Sequence, residues 1–476
     1  MKKIILTFIL TFYASITFAQ VYSVFDYKSN EVYGYIVFEL VEKVDKKQSL
    51  YIATLLDINL NKVSQATFTD EKDIRIRQVR YNGSSVFFNV LPQGSNKSTN
   101  FSFRIYDLKS NTISPNYTLP ETDKNTYVMG SYPIQNTGYG LIVRNFKTQV
   151  NHLYAVTDSN KHIYTVYPYG NTKKKEAEAI YLAGIYDNLM ITINRKYPTK
   201  KSSDPKTTLL LIDLITGKVT KEISFDNNVF NVDLSNVQIT RDNIYVFGDT
   251  YEKKKEITSG KTSGLFKAII DHNGTILSEN SLVWADLQSK IDIKEGGFVR
   301  NKGYIYTHSY VFDKKTKNTV VVGEYIRGSI TSVSVRDLVF MEFDEKFNLN
   351  QVFEVEKKQS TLNLGGIKTG GSRQFGGILS QNNYFDYRFY NFLEEESGLS
   401  FFYFNTEKLY LIGSSSFSHG IVVYKDGKFS AEKLKWESSI WKRDRLNLLP
   451  SKPGYFLLSK VSKDKVVENR LERIDY

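Results

Sequence analysis

A chain of 476 residues with 41% hydrophobic side chains can bury a sizeable core, which excludes wholesale disorder, and its 33 tyrosines and 31 phenylalanines favour strands. The formal charge of +12 is spread along the length, with its densest clusters, Lys173–Lys175 and Lys253–Lys255, in expected loops; nucleic-acid binding would interleave basic and aromatic residues on one element, so that class is set aside. No cysteine is present, which excludes disulfides, thiol catalysis, zinc–thiolate sites and a cysteine-borne lipid anchor, and points to a bacterial rather than a eukaryotic exported chain.

Lys2 and Lys3, the apolar run Ile4 to Phe12 and the small-residue end Thr17-Phe18-Ala19 have the three-part layout of a secretory signal. Residues 1–19 are expected to be a signal peptide cleaved after Ala19, delivering 20–476 to the periplasm or the exterior. No later stretch is long and apolar enough to span a bilayer, so a soluble mature chain without a transmembrane segment is expected.

Val21 to Tyr27 reads as a lone strand. After it comes a recurring unit: strand, strand ending in Asp, tight turn, return strand. The unit appears at Tyr33–Leu40, Leu50–Leu56, Asp57 and Val63–Phe68, then at Ser85–Val90, Phe101–Tyr106 and Asp107, and again at Gly138–Val143, Leu153–Thr157 and Asp158. In the fourth unit Leu209-Leu210-Leu211-Ile212-Asp213 turns through Thr216-Gly217 and returns on Val219, Ile223 and Phe225. The Asp can bond backbone two residues on, and Gly supplies positive φ. Later turns follow at Asp271, Asp344, Asp426 and Asp475, the last without a return strand.

The first five aspartates stand 50 to 58 residues apart. About four strands per unit at such a period is the mark of a propeller, whereas tandem sandwiches would repeat near 100 residues. Runs such as Ala268-Ile269-Ile270 and Phe401-Phe402-Tyr403-Phe404 are apolar on both sides, so each sheet is expected to be covered on both faces. The fold class is therefore all-β, a single β-propeller over 20–476 with eight blades (seven is the alternative), and Val21–Tyr27 is expected to close the ring by supplying the strand that the last unit lacks. An irregular insertion, a loop or an extra hairpin, is expected at about 356–407.

Chemical motifs are few. The glycine-rich Leu364 to Gly377 fails the phosphate-loop pattern, because Gly370 is followed by Gly371-Ser372 rather than Lys-Ser. Asp57-Ile58-Asn59-Leu60-Asn61 mimics a calcium loop, but Lys62 and Phe68 stand where Gly and Glu are required. The five histidines form no His-Glu-x-x-His pattern, and a packed, satisfied imidazole is the expectation for His308. No metal and no cofactor is expected. Carboxylates from separate blades could still converge on a central funnel as a glycosidase pair. The candidate ligand-binding residues are Lys368, Arg373, Asp386, Glu394, Glu395, Trp436 and Trp441, with the tryptophans as stacking platforms.

At turns such as Ile212-Asp213-Leu214-Ile215-Thr216-Gly217-Lys218 and Asp271-His272-Asn273-Gly274 the chain resembles exported bacterial β-propellers with degenerate repeats. The resemblance covers about 31–476 and implies architecture alone, since Trp-Asp signatures and the sialidase box are missing. A non-catalytic binding or scaffolding propeller with a protein or glycan partner is the expected function. The alternative is a carbohydrate-active enzyme, hydrolase or lyase, working in the central funnel.

Overall fold

The computed structural model describes the chain from Gln20 to Ile474 apart from 27–30, 93–101, 119–125, 135–137, 146, 148–149, 158–162, 170–176, 200–204, 215–217, 227–228, 253–261, 295, 329–331, 358, 364–371, 382–383, 395–397, 410–413, 435–444 and 462–466. The proposed signal, Asp158, Asp475 and the Thr216-Gly217 turn lie outside these residues.

The period-two pattern forms antiparallel sheets. Among the described residues eight follow one another along the chain, and in each the strands pair in chain order apart from short side strands. The innermost long strands are Gln20–Phe25, Ile74–Tyr81, Thr126–Ile134, Ala177–Tyr186, Phe230–Ile239, Gly303–Phe312, Tyr387–Phe392 and Arg445–Pro450. Successive members of this set are neighbours through the first five sheets and on to the sixth; those of sheets seven and eight also meet, and the eighth lies beside the first. Sheets that touch along their first strands while facing each other side-on radiate from an axis. The chain is an all-β β-propeller.

Alternation explains the packing. Leu209 and Leu211 enter the apolar cluster between sheets four and five, whereas Leu210 and Ile212 enter the one between sheets three and four. Likewise Leu399, Phe401 and Tyr403 pack toward sheet six, and Phe402 toward sheet eight. Each pair of adjacent sheets shares such a cluster, including the last with the first, where Val32 and Tyr35 meet Leu457.

The repeated aspartates work as the sequence suggests at most sites. Asp57 Oδ1 accepts from the amides of Asn59 and Asn61, and Asp271 Oδ1 from those of Asn273 and Thr275. The third residue after each of Asp57, Asp271 and Asp344 has positive φ, and it is Leu60, Gly274 or Phe347. Phe347 adopts a conformation that glycine suits best, and its burial against Phe343 at 4.7 Å offsets the strain. Asp426 differs. It lies inside a two-residue turn with Gly427, both at positive φ, between the paired Lys425 and Lys428.

Three expectations are corrected. The first strand does not join the last sheet: Gln20–Phe25 pairs with Val32–Lys43, and the last sheet has three strands among the described residues. The hairpin wins because its two strands are separated by only a short connection, closed by Asp26 N–H donating to Glu31 O. Sheets one and eight instead meet through side chains: Ser23 Oγ donates to Pro450 O, Tyr35 and Ser451 share a hydroxyl hydrogen bond, and Lys452 Nζ donates to Asn59. Next, the irregular stretch narrows. Tyr387–Phe392 and Gly398–Leu409 are the first two strands of sheet seven, while Ser360–Asn363 pairs with Ser332–Phe343 of sheet six. Lastly, part of the glycine-rich region is neither loop nor hairpin. Ser372–Gln381 is a helix, α1, whose Phe375 and Leu379, one turn apart, pack on Ile326, Val333 and Val335.

Leu457 is fully buried between the last sheet and the first. Leu457→Ala is expected to lower stability by about 2–5 kcal/mol, and loss of the Tyr35 hydroxyl contact in Ser451→Ala by about 1 kcal/mol, both read from denaturant midpoints. A Leu457→Ala protein with an unchanged midpoint would show that the two ends do not hold each other.

Candidate functional site

In seven of the eight sheets the pairing of the innermost long strand with the next carries a register shift. From sheet two to sheet seven the extra residue is on the inner strand: Arg77 or Gln78, Met129, Ala183, Ser235, His308 and Arg388. A bulge re-aims a side chain and ends regular pairing locally, and such positions are used repeatedly beside binding sites. Opposite two of them the second strand has glycine. A Cβ on Gly248 would lie 2.5 Å from Asp233 O, and one on Gly323 would lie 2.9 Å from Tyr306 O.

The richest chemistry gathers where sheets six and seven meet. Glu324 is fully buried on the strand Thr319–Gly328, inside its apolar run Val320 to Ile326. Its Oε1 accepts from the amides of Asp386 at 3.0 Å and Tyr387 at 2.5 Å, tying sheet six to the start of the inner strand of sheet seven. Lys357, whose side chain is also inaccessible, places Nζ 2.5 Å from Asp386 Oδ2 and 4.0 Å from Glu324 Oε2. Asp386 O in turn accepts from Phe404 N–H.

His308 packs above this group. Its ring stacks on Tyr387 at 5.3 Å and meets Phe385 edge-on at 4.5 Å, and Tyr306 stacks on Phe385 at 4.6 Å. Helix α1 comes so close that a methyl on Gly376 would enter the Tyr306 ring at 2.1 Å. On sheet seven the Arg388 guanidinium lies over Phe404 at 4.2 Å, and His419 meets the same ring edge-on at 4.7 Å.

Burial sets the protonation states. It pushes the Glu324 carboxyl up to about 7 against the opposing pull of Lys357, and it raises Asp386 as well. Burial, with Lys357 and Arg388 adding to it, pulls His308 down to about 3; burial and Arg388 pull His419 down to about 4. At neutral pH both imidazoles are therefore uncharged.

The sequence candidates fare unevenly. Lys368, Glu395, Trp436 and Trp441 lie outside the described residues, and of Arg373 only its place in α1 is described. Asp386 belongs to the buried group. Glu394 pairs with Arg473 at 3.1 Å, beyond the far end of Tyr387–Phe392. At 3.3 Å per residue, that six-residue strand holds the two acids roughly 20 Å apart, too far for a glycosidase pair. His308 is packed as expected; its Nε2 makes no hydrogen bond and faces Glu324 Oε1 at 3.6 Å. Sequence reading missed Glu324, Lys357, Arg388 and His419. The available signals were an acid inside the apolar run Val320 to Ile326 and a base inside the aromatic run Tyr384 to Tyr390. Among the described residues no cluster of three or more His, Asp or Glu side chains is placed to hold a metal, and no helix is long and apolar enough to cross a membrane.

Glu324 and His308 titrate against each other. A raised carboxyl pKa gives stability that is present below the unfolded value of 4.5 and lost as pH rises through about 7. A depressed imidazole pKa gives stability that is present above 6.5 and lost as pH falls through about 3. Between pH 4.5 and 6.5 the folded and unfolded pair bind one proton each, so their slopes cancel. His308→Gln is expected to leave a melting temperature that falls across this window as pH rises. Glu324→Gln should leave one that rises, and parallel wild-type and variant profiles would refute the coupling.

Comparison with known proteins adds a family. Matches to one family model cover residues 20–328 and 318–475, and the chain belongs to that family, a family of unknown function (DUF6770). No curated protein matches it. Among solved structures it is similar to a puromycin hydrolase, at 10% identity and a TM-score of 0.45 over 84% of this chain and 53% of that one, so it spans about half that protein's length. It is also similar to an oligogalacturonate lyase in complex with manganese, at 11% identity and a TM-score of 0.43 over 92% of this chain and 96% of that one. The WD40 domain of SCAP from fission yeast matches at 8% identity and a TM-score of 0.40, over 91% of this chain and 90% of that domain.

Proposed function

We propose that this member of the family is an exported, non-catalytic binding propeller of eight blades, with its ring closed by packing of sheet eight on sheet one. Its ligand is taken at the inner edge of sheets six and seven. The observation that carries the reading is the condition of the carboxylates there. Glu324 and Asp386 are buried and already engaged by Lys357 and two backbone amides, which leaves neither placed to exchange a proton with a substrate. The bulges supply the complement, side chains turned out of the ladder on the inner strands.

A carbohydrate-active enzyme is the second reading, and one observation favours it: a carboxyl held up to about 7 beside another acid is the property of a general acid. Incubating the protein from Gln20 to Tyr476 with a glycan and peptide set separates the two. Retention of a ligand with no new reducing end or unsaturated product is the expected result. Product formation that disappears in Glu324→Gln would replace binding with catalysis.

A further inference from the structure

Arg388 is the bulge residue of sheet seven and is exposed, yet its guanidinium sits over the Phe404 ring, 4.2 Å from the centroid. Among the described residues it forms no ion pair; the acid two positions before it, Asp386, is taken by Lys357 at 2.5 Å. A cation held in place with its N–H fork unspent is a receptor for an acceptor group. One more group points the same way. Nδ1 of His419, whose ring meets Phe404 edge-on, is buried without a hydrogen-bond partner, whereas Nε2 of His308 faces Glu324 Oε1 at 3.6 Å. A buried polar atom of this kind calls for an explanation, and a neutral imidazole can donate or accept as a ligand requires.

Charge narrows the ligand. Lys357 and Arg388 stand against Asp386 and a Glu324 that titrates near neutrality, leaving a surplus between zero and one positive charge. That balances a monoanion and not a dianionic phosphate. A single planar guanidinium also matches a carboxylate through two parallel hydrogen bonds.

We propose that the inner edge of sheet seven is a carboxylate-binding site, with Arg388 holding the acid group and His419 completing its hydrogen bonds. This deepens the binding reading above and rests on it. The acid could come from a uronic sugar or from a peptide C-terminus, and the test separates these sources.

Four immobilised probe sets serve: uronate glycans, matched uncharged glycans, peptides with free C-termini and the same peptides amidated. Wild type, Arg388→Gln, Arg388→Lys and the surface control Lys433→Gln are compared at low and at 0.15 M salt. Retention of one carboxylate set without its uncharged match is expected. Arg388→Gln should weaken it at least tenfold, Arg388→Lys by less, and Lys433→Gln not at all. Loss of the Phe404 contact should lower the melting temperature only slightly in Arg388→Gln, with the unfolding transition still cooperative. Equal retention by Arg388→Gln, retention of uncharged probes alone, or no retention of any carboxylate overturns the assignment. In the first two cases the protein still binds, so the broader reading survives the loss of this site.

Discussion

Two-sided burial is the constraint from which the rest of the structure follows. A strand such as Leu209-Leu210-Leu211-Ile212 has no wet face, so its sheet must be covered on both sides. When every sheet in a series has this need, a linear stack leaves two apolar faces exposed and a ring leaves none. Each buried Leu or Ile contributes about 1.5–3 kcal/mol, repeated at every interface between sheets. The cluster of Val32, Tyr35 and Leu457 is the same interaction applied to the two ends of the chain. It holds without a strand exchanged between them, and without a disulfide.

Apolar packing alone fixes neither the rotation nor the depth at which one sheet meets the next. Buried polar contacts at several interfaces supply that specification. Arg104 bonds Asp70 at 2.8 Å between sheets one and two, and Arg195 meets Asp233 at 3.3 Å between four and five. Asn391 Nδ2 donates to the carbonyls of Ser451, Lys452 and Tyr455 between seven and eight. Such groups are costly to bury and costlier to leave unpaired, so they penalise misaligned sheets more than they reward aligned ones. Glu324 belongs to this class through the amides of Asp386 and Tyr387, and burial suppresses its acidity against the opposing pull of Lys357 and those amides.

The parts of this architecture legible in the sequence were those with a local signal. In several units, as at Leu209–Asp213 and Ala268–Asp271, the third strand ends in a continuous apolar run and Asp, and the turn that follows is written in adjacent residues. The inner strands were not legible. Ile74–Tyr81 alternates with arginines, Thr126–Ile134 includes Pro133, and Tyr387–Phe392 looks like one aromatic cluster with no partner nearby. Their pairing depends on bulges, which break the period that sequence reading relies on. Missing them made Val21–Tyr27 seem unattached, when it is simply the inner strand of the first unit. The site was hidden for the same reason: His308 and Arg388 are the residues that the regular register skips.

The repeat also explains where specialisation could arise. Sheets one to five keep nearly constant spacing, whereas sheet six gains a small hairpin before its inner strand, an added strand after its outer one and helix α1 against its side. Insertions in loops cost little, because closure entropy grows only slowly with length. They fall here beside the one interface where Glu324, Lys357 and Asp386 stiffen the start of an inner strand. A stiffened inner strand can keep Arg388 in one orientation over Phe404, while α1 and the rings of Tyr306 and Phe385 cover the flank of His308. The proposed recognition asks for a place where the symmetry of the ring is broken and a side chain is held, and the two features coincide at sheets six and seven.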